Sequence, residues 1–289
     1  MRNWKKVNKK YREEGFLYFS FDFLRTWKRE ISILNTKKRG GQYRYPDSLI
    51  RFCSTLKIVF GVGYRQMDGL LQSIKQFIPI EQTPDYTTIY RRFNRLGLDL
   101  ISSLADVKDG QTIALDSTGI KLYQSGEWIR EKHKKRKPFL KLHVAVNVKT
   151  KQATASVMTE DNVSDGEMTQ KLIEKSQEYA PITEVLGDGA YDRYKIWYYV
   201  TNKNVKPVIR LRKDAIPNGL NPRACAVRER DRIGVEEWKQ IHNYGKRWLV
   251  EIWYSSFKRR FGEHCSARKE QTIRQELLFK TMLTNQMIL

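Results

Sequence analysis

Two aspartates, Asp116 and Asp188, each follow a short apolar run that predicts a β-strand. A carboxylate at the end of a strand is held rigidly at the rim of a sheet, where a ligand can approach. Gly187 and Gly189 flank the second acid and leave room for a bulky group beside it. Two carboxylates placed together repel each other, and a divalent cation relieves that repulsion. Hard oxygen ligands select Mg²⁺ or Mn²⁺, so the pair indicates metal-dependent chemistry.

A third acid, Glu251, lies in a segment with helical spacing that also contains Tyr244, Arg247 and Lys258. On a helix that turns about 100° per residue, these four side chains fall within about 60° of one another. The opposite side carries apolar residues such as Trp253. The helix would then pack by one face and present an acid, two cations and a phenol on the other. By spacing alone, an ordinary salt bridge between Arg247 and Glu251, worth about 0.3 kcal/mol, explains the same pattern.

The net charge of the chain is +22, because 54 Lys and Arg face 32 Asp and Glu among its 289 residues. Such an excess attracts polyanions, and its spread over several segments predicts a track for a phosphate backbone. The rivals are an RNA-binding protein and a membrane-surface protein. No RNP-like aromatic motif supports the first, and no amphipathic helix with a lysine-rich face supports the second. No stretch approaches the roughly 20 apolar residues of a membrane span, and we expect an intracellular protein.

Residues 1–105 have helical spacing. Short predicted helices in this region end in a basic one that contains Arg91, Arg92 and Arg95. That order is typical of a helix-turn-helix that binds DNA. A small helical bundle with a solvated arginine face fits the pattern equally well, and the sequence does not separate the two.

Residues 106–289 change to the periods of a sheet covered by helices. Three predicted strands, a helix, a strand, a helix and a last strand follow one another. A basic loop is predicted after the last strand, and the chain is predicted to be helical from about residue 236 to its end. This order predicts a mixed α/β fold, with a five-stranded sheet flanked by helices.

The pattern Tyr-x2-Arg-x3-Glu-x6-Lys, which begins at Tyr244 and ends at Lys258, resembles the signature of transposases of the bacterial and archaeal IS4 and IS5 insertion-sequence families. Residues 115–119 resemble the first catalytic motif of these families, and residues 187–192 resemble the second. The motifs and the signature come in the expected order. The short interval between Asp188 and the signature fits the IS5 type better than the longer IS4 type.

Two further stretches extend this resemblance over nearly the whole chain. Residues 40–96 look like the helical region of IS5-type members, and Lys141-Leu142-His143 matches a recurrent motif of the second strand. The resemblance implies an RNase H-like catalytic domain in residues 106–289. The helical region in residues 1–105 is predicted to be a DNA-binding region with a possible helix-turn-helix.

The resemblance implies that three acids form a catalytic site for two Mg²⁺ or Mn²⁺ ions: Asp116, Asp188 and Glu251. The other signature residues are implied to hold DNA phosphates near the cleaved end: Tyr244, Arg247 and Lys258. The implied function is a DDE transposase that cuts the ends of an insertion sequence and transfers the freed 3′-OH to target DNA. Its implied partners are terminal inverted repeats and target DNA, bound by a homodimer in the cytoplasm and nucleoid of a prokaryote.

Two other interpretations of the function stay open. A catalytically silent or domesticated DNA-binding regulator would have the same charge and helices, although all three acids are present. A hydrolytic nuclease of the same fold would cut DNA without joining it to a target.

Four polar features outside the signature receive smaller roles. Residues 130–137 are predicted to form a basic loop on DNA, with contacts from Lys134, Lys135, Arg136 and Lys137. Asp192 is interpreted as a structural acid, and Asp165 as a helix cap. His143 is expected to fill a strand face or support the site rather than bind metal.

Overall fold

The structure is a computed structural model that describes residues 3–107, 109–122 and 139–288. The chain divides into two compact units, Met1–Leu98 and Asp99–Leu289. Within the described ranges, no helix combines the length and the hydrophobicity that a membrane crossing requires.

The first unit is helical, as its spacing predicts. Its helices are α1 (Trp4–Tyr18), α2 (Asp22–Asn35), α3 (Asp47–Phe60), α4 (Tyr64–Lys75) and α5 (Tyr86–Phe93). Leu49, Phe52 and Leu56 recur at three- and four-residue steps along α3, and this stripe forms the centre of the core. Gly61 ends the helix in the left-handed conformation, with φ of +68°.

The second unit is built on a mixed sheet. Its strands are β1 (Gln111–Leu122), β2 (Phe139–Asn147), β3 (Ala153–Glu160), β4 (Ile182–Gly187), β5 (Lys206–Ile209) and β6 (His264–Cys265). The order is β3-β2-β1-β4-β5, in which β1, β2 and β3 are antiparallel and β1, β4 and β5 are parallel. The predicted mixed α/β architecture and its five strands are confirmed. The two-residue β6, which pairs with the end of β1, was not predicted.

Helices cover both faces of this sheet. The helices of this unit are α6 (Thr169–Gln177), α7 (Tyr194–Asn202), α8 (Pro222–Ile233), α9 (Val235–Ile241), α10 (Trp248–Phe261) and α11 (Glu270–Ile288). Ile113 and Leu115 of β1 belong to the core cluster that α6 and α7 share. Because successive side chains of a strand alternate between faces, Asp116 points to the other face, where α10 contacts β1 and β2.

Three local predictions were wrong. Asp116 lies in the middle of β1 rather than at its end, because β2 continues to pair with this strand as far as Lys121. The segment predicted as a basic loop contains α8, which begins with Pro222 and is capped by Asn221 through a bond from the Ala224 N–H. The predicted helical end of the chain is also interrupted by a 3₁₀ turn and by β6.

Candidate active site

Asp116 is held by its own strand and is largely shielded from solvent. Its Oδ1 accepts a hydrogen bond from the Ser117 N–H at 2.8 Å. Burial raises the pKa of the Asp116 carboxyl to about 6, and the charges of Asp188 and Glu251 add to that rise. The Ser117 bond and the charge of Arg247 oppose it. The ionised form of this carboxyl is therefore unfavourable unless a positive group lies close to it.

Asp188 comes next to Asp116 through the parallel pairing of β1 with β4. Ala114 pairs with Leu186, and each strand reaches its aspartate two residues later. Since residues two apart share a face, both carboxylates point to the same side of the sheet. The effect of Asp188 on the pKa of Asp116 agrees with this placement.

A tight turn fixes Asp188 at the end of β4. Its carboxylate caps the 3₁₀ turn Gly189–Tyr191 by accepting a bond from the Ala190 N–H at 2.9 Å. Gly187 before it leaves room for the turn, because a Cβ there would lie 3.0 Å from the Cβ of Tyr191, closer than most such contacts. Asp188 is thus fixed at the end of β4 and is half-buried, while the turn behind it is packed.

Glu251 lies one turn into α10 and is bound by Arg247. Arg247 belongs to the 3₁₀ turn Tyr244–Arg247 that precedes the helix, and its Nη2 donates to Glu251 Oε1. Its Nη1 is 3.9 Å from Asp116 Oδ2. One guanidinium therefore lies between two of the three acids. The ion pair that spacing alone suggested is present, and it is part of the acid cluster.

Two tyrosines fasten this end of the unit. The hydroxyl of Tyr254 in α10 is 2.9 Å from the carbonyl oxygen of Asp116 and 2.7 Å from that of Leu142. The hydroxyl of Tyr244 donates to the carbonyl of Gly187 at 3.3 Å. The first ties α10 to the two central strands, and the second ties the 3₁₀ turn to the end of β4.

The residues fit a divalent metal ion in type and charge. Three carboxylates offer hard oxygen ligands, and the pKa of Asp116 is raised by burial and by its two acidic neighbours, a penalty that a bound cation would relieve. The buried hydroxyl of Tyr191, beside Asp116 and Asp188, has no hydrogen-bond partner among the described residues. In the same ranges, no three His, Cys, Asp or Glu side chains are arranged to hold a metal. Glu251 would have to leave Arg247 to complete such a set.

A family model described as "Transposase DDE domain" matches residues 108–286, which is more than half of the chain. A second model with the same description matches residues 10–125. The chain belongs to the DDE transposases. The first match contains all three predicted catalytic acids, Asp116, Asp188 and Glu251.

Two solved structures are similar to this transposase. The Drosophila P element transposase strand transfer complex is 13% identical, with 97% of this chain and 71% of that chain covered and a TM-score of 0.36. The simian T-cell lymphotropic virus intasome in complex with PP2A regulatory subunit B56 gamma is 12% identical, with 78% and 66% covered and a TM-score of 0.31. The fold class is RNase H-like: three antiparallel strands continue into two parallel ones, and helices cover both faces.

The predicted DNA contacts of the second unit have different surroundings in this transposase. Tyr244 is buried and packs against Trp238, at 5.9 Å between ring centroids. Lys258 is half-buried, and its Nζ is 3.5 Å from Glu263 Oε1. Arg247 is engaged with the acids, as described above. Lys134, Lys135, Arg136 and Lys137 lie outside the described residues.

The three arginines predicted to contact DNA in the first unit differ from one another in burial and in their bonding partners. Arg92 is buried, and its guanidinium donates to Asp47 at 2.6 Å and to the carbonyl of Tyr45 at 2.9 Å. Arg91 and Arg95 are exposed. A phosphate could reach the exposed pair without breaking an ion pair, whereas Arg92 would have to leave Asp47.

Three smaller interpretations can be compared with the structure. Asp192 is buried and accepts two bonds from Arg223, at 2.6 and 2.8 Å, which agrees with a structural role. His143 is fully buried, and its Nε2 is 2.8 Å from Thr159 Oγ1. The cap predicted for Asp165 was wrong, because its carboxylate accepts a bond from Ser117 instead of from its own turn.

Tyr254 and Tyr191 are the site residues that the sequence did not indicate. Tyr254 follows the signature acid by three positions and was not separated from the apolar face of the helix. Tyr191 lies within the second motif, but only the packing of the turn shows that its hydroxyl is buried among acids. For Tyr254, the one local sign in the sequence is that it follows the predicted catalytic acid Glu251 by three residues.

Proposed function

We propose that this transposase cuts DNA at the ends of an insertion sequence of the IS5 type and joins the freed 3′-OH to target DNA, with Mg²⁺ or Mn²⁺ as cofactor. The observation that carries the proposal is the proximity of the three acids: the charges of Asp188 and Glu251 act on Asp116, and Arg247 lies between Asp116 and Glu251. Phosphodiester chemistry needs such a cluster of rigid acids.

Asp116, Asp188 and Glu251 would hold two ions. When bound, these ions would activate the attacking oxygen and stabilise the leaving 3′ oxygen. The protein's own part is to keep the acids in place. Asp116 is fixed by Ser117, and Asp188 is fixed by its own turn. Because Asp116 is shielded from water, its interaction with a cation is stronger than at an open surface.

Arg247 would hold the scissile phosphate once it is released from Glu251. A guanidinium binds phosphate through paired hydrogen bonds, and Lys258 would act as a point charge further along α10. Tyr244 would support Arg247 from behind, because its ring is buried at the start of the same turn. Arg91 and Arg95 would bind DNA backbone through the first unit.

The substrates would be the terminal inverted repeats and a target DNA. Two ends must be brought together for insertion, so we expect a homodimer on DNA. Such a protein would act at the nucleoid of a prokaryotic cell.

The test uses purified protein, Mg²⁺ and a DNA fragment that carries the coding region with its flanking inverted repeats. We expect cleavage at the repeats and joining of the new 3′-OH to a plasmid. Asp188→Ala should bind the repeats and cut neither strand. Asp161→Ala, which changes an exposed acid outside the site, is the matched control and should remain active.

Two results would favour the other interpretations. Wild-type protein that binds the repeats but never cuts them would be a DNA-binding regulator. Protein that cuts the repeats and never joins them to a plasmid would be a hydrolytic nuclease.

A further inference from the structure

Ser117 connects two acids that lie on opposite faces of the sheet. Its N–H donates to Asp116 Oδ1 at 2.8 Å, and its hydroxyl donates to Asp165 Oδ1 at 2.7 Å. Neighbouring side chains of a strand point to opposite faces. Asp165 therefore binds β1 on the face of the sheet that α6 covers, whereas the Asp116 carboxylate lies on the face that α10 covers.

Asp165 is itself held by β2. Lys141 Nζ donates to the same Oδ1 at 3.3 Å and to the carbonyl of Val163 at 3.0 Å. His143 pairs with Ser117 in the β1–β2 ladder, and its Nδ1 is 3.7 Å from that oxygen. Lys141 offsets the charge of Asp165, so this acid can accept the Ser117 bond without adding net negative charge beside the site.

We propose that Asp165 is a positioning residue for Asp116. Through the hydroxyl of Ser117 it fixes the backbone N–H that orients the Asp116 carboxylate toward Asp188. The identity of the reaction rests on the proposed function, but the orientation of the acid does not. Loss of a group that orients a metal ligand costs about 10- to 100-fold in metal affinity or activity.

Three variants separate this role from a purely structural one. Asp165→Asn keeps an acceptor for the Ser117 hydroxyl, Asp165→Leu removes it at similar volume, and Ser117→Ala removes the donor. We expect Asp165→Leu and Ser117→Ala to lower kcat and Mn²⁺ affinity by about 10- to 100-fold, with little change in KM for DNA. Asp165→Asn should stay close to wild type. The double variant Asp165→Leu/Ser117→Ala should lose no more kcat and Mn²⁺ affinity than the more impaired of the two single variants, because both changes break the same link.

Mn²⁺ binding is measured by electron paramagnetic resonance without DNA, and kcat and KM are measured on the cleaved ends. Near-ultraviolet circular dichroism shows that each variant is folded. Ser156→Ala in β3 and Glu184→Gln in β4 are controls outside this network and should match wild type.

A folded Ser117→Ala or Asp165→Leu protein with wild-type kcat and Mn²⁺ affinity overturns the proposal. A loss in Asp165→Asn as large as that in Asp165→Leu overturns it as well, because charge rather than the accepted bond would then matter. If the wild-type protein binds Mn²⁺ but neither cuts nor joins DNA, the proposed function fails while the Mn²⁺ titration still decides the positioning role. Wild-type protein that binds no Mn²⁺ overturns both.

Discussion

The hydroxyl of Tyr254 lies 2.9 Å from the carbonyl oxygen of Asp116, so α10 is fastened to β1 at the residue that carries the first acid. Tyr254→Phe removes this contact and the contact of the same hydroxyl with the buried carbonyl of Leu142 at 2.7 Å. We expect the free energy of unfolding to fall by about 1 to 2 kcal/mol. We also expect slower DNA cleavage, because Glu251 belongs to the same helix as Tyr254.

Urea denaturation and initial cleavage rates test this expectation. Tyr198→Phe, at a half-exposed tyrosine in α7, is the matched control. An unchanged unfolding midpoint in Tyr254→Phe would show that the bond does not hold the helix.

Asp116→Asn should stabilise the metal-free protein. The folded pKa of Asp116 is about 6, raised mainly by burial, so the folded state prefers the protonated acid and its ionisation costs stability. That cost is present above pH 6 and disappears as the pH falls toward 4. One pKa unit corresponds to about 1.4 kcal/mol, so a gain of roughly 1 to 3 kcal/mol is expected at pH 8.

Thermal melts of wild type and Asp116→Asn in EDTA measure the difference at pH 8 and pH 5. The advantage of the variant should shrink at pH 5. An equal gain at both values would assign it to packing rather than to the charge of the acid.

His143 should make the folded protein sensitive to acid. Burial lowers its pKa to about 4, although the charge of Asp165 opposes this shift. Between pH 6.5 and 4, His143 is protonated in the unfolded chain but neutral in the folded protein. The free energy of unfolding therefore falls as the pH falls through this window. Asp116 has the opposite trend, so His143→Gln is studied in an Asp116→Asn background. We expect a flatter stability profile there, measured by urea denaturation from pH 7 to pH 4. A profile as steep as that of Asp116→Asn alone would contradict this assignment.

The strands of the sheet were predictable because their alternation is local in sequence. The shorter and more polar elements were not. β6 contains two residues and exists only through its pairing with the end of β1. α8 has few buried residues, among them Ala224 and Val227, so its charged sequence carries no clear apolar period.

The candidate site was predictable in its residues but not in its connections. Arg247 and Glu251 were placed together by their spacing, although Arg247 belongs to a 3₁₀ turn rather than to the helix. The bond from Ser117 to Asp165 joins residues 48 positions apart. The periodicity of apolar residues along the sequence does not predict a contact of that kind, because only the folding of the sheet brings the two residues together.

Arg223→Met should destabilise the protein strongly. Asp192 accepts bonds from Arg223 and Trp197 and is fully buried. Removal of the cation leaves an uncompensated buried carboxylate, which costs about 3 to 5 kcal/mol. Urea denaturation measures the loss. The double variant Asp192→Asn/Arg223→Met should recover part of it, and failure to recover any would point to lost packing instead.

Arg247→Gln should strengthen Mn²⁺ binding while it weakens binding of the DNA ends. The guanidinium donates to Glu251 and lies 3.9 Å from an oxygen of Asp116, so it competes with a metal ion for these acids. Its removal should raise Mn²⁺ affinity roughly three- to tenfold, or about 1 kcal/mol. Arg247→Lys keeps the charge and should bind Mn²⁺ like wild type. If Arg247→Gln instead binds Mn²⁺ more weakly, then Arg247 holds Glu251 in place for the metal and does not compete with it.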